Sequence, residues 1–170
     1  MVPEFFAAIF LILCLVAATY DVGELIIPNW LNGWLAFLFI PAAILVAPGW
    51  GTVGAHLIVG AIAFAACVAL FLLGVFGGGD AKMIPGVILW LGPTASGAFL
   101  LWMAMAGAVL AIFLMFARMV MPPRLIGTGI VALQQGQGIP YGVAIAFGAA
   151  MAAPQSPFLA NFLSQISGFN

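Results

Sequence analysis

Residues 53–76 read VGAHLIVGAIAFAACVALFLLGVF and run directly into Gly77-Gly78-Gly79-Asp80-Ala81-Lys82. The first part carries no acid, lysine or arginine and a single histidine, His56, over a length that suffices to cross a bilayer, for which about 20 apolar residues are needed. Its apolar residues are continuous rather than alternating. In hydrocarbon only helices and closed barrels satisfy their own backbone, so the run is read as a helix. The second part sets three glycines, an acid and a base at the end of that helix. An ionisable residue at the edge of a membrane segment marks a candidate functional site.

The rest of the chain has the same character. Of its 170 residues 66% are hydrophobic and 4% charged, against about 25% charged in a soluble domain. The mean hydropathy is +1.33. This composition gives an all-α fold, a polytopic integral membrane bundle of about six transmembrane helices within a single membrane-embedded domain, residues 1–170. Three basic and four acidic residues leave no basic footprint for nucleic acid. Cys14 and Cys67 lie inside apolar runs without metal-site spacing and read as buried small hydrophobes. His56 is alone and receives no role.

Outward from the opening stretch, the helices are placed as follows. Residues 3–20 form the first, ending at Asp21; Glu4 stands where a signal peptide would carry bases, so the segment is read as a mature helix. A polar turn, Asp21 to Asn32, contains Pro28 and Asn29, with Trp30 at the membrane interface. Residues 30–46 form the second helix, bent at Pro41. The third, 53–76, is stopped by the glycine run. The fourth is short: residues 81–91 precede Gly92-Pro93 and cover about 16 Å, half a hydrocarbon core. Residues 95–116 form the fifth and 139–153 the sixth. The connection 119–138 dips into the interface or re-enters the protein, and the tail 154–170 lies along the surface. Six crossings put Lys82, Arg118 and Arg124 on one side, which the positive-inside rule makes cytoplasmic. Asp21 and Asp80 share that side.

Two aspartates in a water-poor place suit acid/base work. Like-charge repulsion leaves such a pair holding one proton, so one member can draw a proton from water while the other polarises a peptide carbonyl. This chemistry needs no metal and no cofactor. Gly77 and Gly79 would let a neighbouring helix or an extended substrate approach closely. The competing structural reading has the glycines end the third helix while Asp80 caps the fourth. Lys82 is read either as a snorkelling interfacial lysine or as a contact for an acidic substrate residue or anionic lipid. Two other functions fit the same charges. One is a proton-coupled transporter with Asp21 and Asp80 as relays; the other is a noncatalytic assembly subunit in which the aspartates pair with Arg118 or Lys82.

Three stretches carry a family resemblance. Gly77-Gly78-Gly79-Asp80 resembles the GxGD motif of membrane-embedded aspartyl proteases. Asp21 with Ile27-Pro28-Asn29 resembles the first-aspartate region of type IV prepilin peptidases, and Ile139-Pro140-Tyr141-Gly142-Val143-Ala144 their sixth-helix signature. The length is similar to that of the short CpaA/TadV-like branch that serves Flp/Tad pili. The resemblance implies an aspartic endopeptidase of the bacterial inner membrane that cleaves leaders from prepilin or pseudopilin precursors at the cytoplasmic face. It implies Asp21 and Asp80 as the catalytic pair. Gly77, Gly79, Lys82, Pro28, Asn29 and Tyr141 would then shape the site or touch substrate, with lipid as the other partner.

Overall fold

A computed structural model of the chain describes residues 2–46, 49–120 and 138–159. The described residues form helices and their connections: α1 (Val2–Glu24), α2 (Asn29–Val46), α3 (Trp50–Leu72), α4 (Asp80–Val120) and α5 (Tyr141–Ala152), followed by a 3₁₀ turn at Ala153–Gln155. Three are long and apolar enough to cross a membrane, namely Glu4–Glu24, Trp50–Leu72 and Asp80–Val120. Apolar Asn29–Leu45 is shorter. The stretch 125–133, expected to dip into the interface or re-enter the protein, Arg124 and the tail beyond residue 159 lie outside the described residues.

Straight, the 41 residues of α4 would reach about 60 Å, twice a hydrocarbon core. They are not straight. Gly92 has φ 72 and ψ 179, a backbone conformation in which a Cβ is strained, and it breaks the helix into two arms. Ile84 and Ile88 of the first arm and Leu100 and Met103 of the second line one apolar hollow with α3, so the second arm returns beside the first. The short fourth helix of the sequence reading is the first arm. Helix resumes at Pro93, earlier than the expected Ala95, because proline suits the first turn of a helix.

Several placements differ from the sequence reading. α1 does not stop at Asp21; the Leu25 N–H still donates to the Asp21 carbonyl at 2.9 Å, and the chain leaves the helix only at Leu25, whose φ is 55. Asp21 therefore sits in the last turn of α1. α3 ends before the glycine run, at Gly74 with φ 73: the Val75 N–H donates to the Leu70 carbonyl and the Gly74 N–H to that of Phe71, a Schellman closure. That frees Gly77 to Gly79 for another task. The start of the tail turns inward, with Ser156, Phe158 and Leu159 buried. The Ser156 hydroxyl donates to the Trp90 carbonyl at 3.0 Å, which gives a buried polar group its partner.

The core centres on Trp90, fully buried in the first arm of α4. Its ring lies 5.4 Å from Phe10 of α1 and 5.9 Å from Phe39 of α2, and its indole N–H donates to the Leu35 carbonyl at 2.7 Å. Three helices are thereby keyed to one side chain. His56 is also fully buried, stacked on Phe39, with Nδ1 2.9 Å from the Leu89 carbonyl. A carbonyl only accepts, so Nδ1 is the protonated nitrogen. Cys14 and Cys67 are buried and free, as the sequence reading has them.

Candidate active site

Asp21 reaches the site from the last turn of α1 and Asp80 from the first residue of α4. Asp21 is 5% exposed. Its Oδ2 accepts a hydrogen bond of 2.6 Å from the Gly142 N–H, in the first turn of α5. A free N–H at a helix N-terminus is a natural partner for a carboxylate, and here it fixes the orientation of Asp21 across a sequence separation of 121 residues. The approach depends on the absence of a side chain. A Cβ on Gly142 would lie 2.9 Å from both Cβ and Oδ2 of Asp21.

Asp80 is partly buried, accepts a hydrogen bond from the Gly77 N–H and is close enough to Asp21 for a coulombic interaction between the two carboxylates. The glycine run holds it from below. The Gly77 carbonyl accepts from the Ala81 N–H at 3.0 Å and the Gly79 carbonyl from the Met83 N–H at 3.0 Å, so loop carbonyls satisfy the first turn of α4. The Asp80 carboxylate is turned back onto the loop.

The α1–α2 connection closes the same end of the bundle. Gly79 packs against Ile27, where an added Cβ would stand 3.0 Å from the Ile27 Cβ. Lys82 donates to the Asn29 Oδ1 at 2.7 Å, and the Pro28 carbonyl accepts from the Leu31 N–H at the start of α2. Gly77, Gly79, Asp80, Asn29 and Lys82 are thus gathered by three short contacts, with Pro28 leading into the helix that carries Asn29, and Asp21 joins them through its interaction with Asp80. Tyr141 is placed differently. Its hydroxyl packs on Gly107 in the second arm of α4, where a Cβ would meet it at 2.7 Å. Gly142, beside it, is the residue of that motif that touches an aspartate, and it does so through its backbone.

Among the described residues no group of three or more His, Cys, Asp or Glu side chains is gathered. The arrangement is a carboxylate pair, each member held by a backbone N–H, on helices distant in sequence. It can pass a proton in both directions.

The model of the type IV leader peptidase family matches residues 8–112. The chain belongs to that family. The matched span contains Asp21, the Ile27-Pro28-Asn29 connection, the glycine run, Asp80 and the corner at Gly92; α5, with Gly142, lies beyond it. No curated protein and no solved structure matches the chain. This leader peptidase is a membrane protein by its helices and a peptidase by its family, and prepilins are the kind of partner that membership implies.

Proposed function

We propose that the leader peptidase is an aspartyl endopeptidase of the bacterial inner membrane, crossing it six times, that removes the leader from Flp-type prepilins at the cytoplasmic face. The observation that carries this reading is the convergence of Asp21 and Asp80. They are the only aspartates in the chain, they come from different helices, and they interact in a site with little access to water.

The mechanism follows from the pair holding one proton. The ionised carboxylate takes a proton from a water molecule as that water attacks the scissile carbonyl carbon. The protonated carboxyl donates to the carbonyl oxygen, so the tetrahedral intermediate is neutral. Collapse returns a proton to the leaving amine, breaks the C–N bond and restores the shared proton. The pair acts as a unit, and the Gly142 and Gly77 N–H groups keep both carboxylates in place through the cycle.

The test is processing of a co-expressed Flp-type prepilin followed by immunoblot. Asp21→Asn and Asp80→Asn are each expected to leave only precursor, with the variant proteins still present in the membrane. Normal maturation by either variant would remove the dyad. Its substrate is a membrane helix presented from the side, which suits a protein with 4% charged residues.

A further inference from the structure

α2 and α3 meet where Phe39 stacks on His56, and from that level to the Asp80 end of the bundle they leave a gap. The gap is a groove of about 570 Å³ floored by the first arm of α4. Its inner end is Leu89, packed against Gly60 of α3; Lys82 and Asn29 form the other end, about 10 Å away along α4. Leu57 and Phe64 on the α3 rim are half exposed, so the groove opens sideways to whatever surrounds the bundle. In a membrane that is lipid. Lys82 stands two residues beyond Asp80, about 200° around the helix, so this face turns away from the aspartates.

The one charged side chain in the lining is Lys82. Its ammonium donates to the Asn29 Oδ1 at 2.7 Å, which engages the amide oxygen and, since Asn29 is neutral, leaves the charge uncompensated. What the pair still presents is N–H: the remaining donors of the ammonium and the Nδ2 of Asn29. Donors with a net positive charge are the complement of a phosphate diester. We infer that the groove holds an anionic phospholipid, its phosphate on Lys82 and Asn29 and one acyl chain running past Gly86 toward Leu89. Basic pockets between membrane helices select anionic headgroups. The order of the lining fits such a molecule, with the polar end where α2 and α4 begin, at the membrane boundary, and only apolar groups at the inner end. A peptide held between Asp21 and Asp80 would have to pass around α4 to reach it. The lipid fills the gap between α2 and α3 on the side away from the chemistry, so the inference does not depend on the proposed cleavage.

The test uses the full chain in a mild detergent, given phosphatidylglycerol or phosphatidylcholine with identical acyl chains. Native mass spectrometry is expected to show a single phosphatidylglycerol retained about fivefold over phosphatidylcholine, the selectivity that one basic side chain supplies near a membrane surface. The same lipid should raise the unfolding temperature, because a ligand of the folded state stabilises it. Lys82→Gln removes the charge while keeping a donor for Asn29, and should abolish the preference; Lys82→Arg should keep it. Ala61→Phe fills the groove from an exposed position on its α3 side, and should reduce retention to a similar degree with Lys82 intact. Unfolding temperatures without lipid show whether each variant folds, and Lys82→Arg and Ala61→Phe decide the matter if Lys82→Gln does not. Undiminished retention by Ala61→Phe would mean that surface charge alone holds the headgroup, and would overturn the groove site. Equal stabilisation by inorganic phosphate, or by phosphatidylcholine, would also overturn it. Stabilisation by a Flp-type prepilin that depends on Lys82, with none by phosphatidylglycerol, would give the groove to a peptide instead.

Discussion

The hydrogen bond from Gly142 to Asp21 makes a prediction that no other glycine here makes so directly. A methyl group at position 142 would stand 2.9 Å from the Asp21 Cβ and Oδ2, against a backbone that begins α5, so the carboxylate must move. Displacing a catalytic group by about 1 Å costs up to about two orders of magnitude in rate, whereas overpacking by one methyl costs about 1–3 kcal/mol of stability. Gly142→Ala is therefore expected to slow prepilin cleavage at least about tenfold while the protein still folds. Single-turnover cleavage beside thermal unfolding in detergent checks both. At this scale the aspartates were legible in the sequence because charge is so scarce that each acid stands out. Gly142 was not, since a backbone N–H has no residue signature; the motif drew attention to Tyr141, which packs on Gly107 instead.

Between elements, the corner at Gly92 decides how the first arm of α4 meets α3. Its positive φ is strained for any residue with a Cβ, and that Cβ would collide with the His56 ring at Nε2. Strain of about 1–3 kcal/mol adds to a collision with a ring fixed between Phe39 and Phe158. Gly92→Ala is expected to lower stability by about 3 kcal/mol, read as a drop in unfolding temperature in detergent. Combining it with His56→Ala should recover part of that loss, because the collision is relieved and the strain is not, so the two changes fall short of adding. The sequence placed a break at Gly92-Pro93 from those two residues, a sound argument because proline is kept to the first turn of a helix and glycine can take the positive φ that the corner needs. It misplaced the ends of α1 and α3 for one shared reason. Asp21 and the glycine run looked like stops, yet a helix ends where its carbonyls find other partners, and those were Leu25 and Gly74, neither distinguished by charge or by repetition.

For the whole molecule, the proposed six-crossing topology fixes which face each end of α3 meets. Trp50–Leu72 is long enough to span a membrane, with Gly51 in its first turn and Gly78 just past its other end in the loop that leads to Asp80. Lys82 and Arg118 lie at the Asp80 end and at the far end of the returning arm, which runs past that level, so the bases and the aspartates share one face. The proposed orientation, taken from the positive-inside rule, makes that face cytoplasmic. Cys14 and Cys67 are buried, so the native thiols leave a quiet background for labelling. Gly51→Cys and Gly78→Cys are both compatible with the fold: a Cβ at 51 meets nothing within 4 Å, and one at 78 comes no nearer than 3.5 Å to the Phe71 ring. A membrane-impermeant maleimide should label Gly51→Cys in intact cells and Gly78→Cys only after the inner membrane is permeabilised. The opposite pattern would move the aspartates to the outer face, where a leader still on the cytoplasmic side could not reach them, and the proposed reaction would lose its substrate.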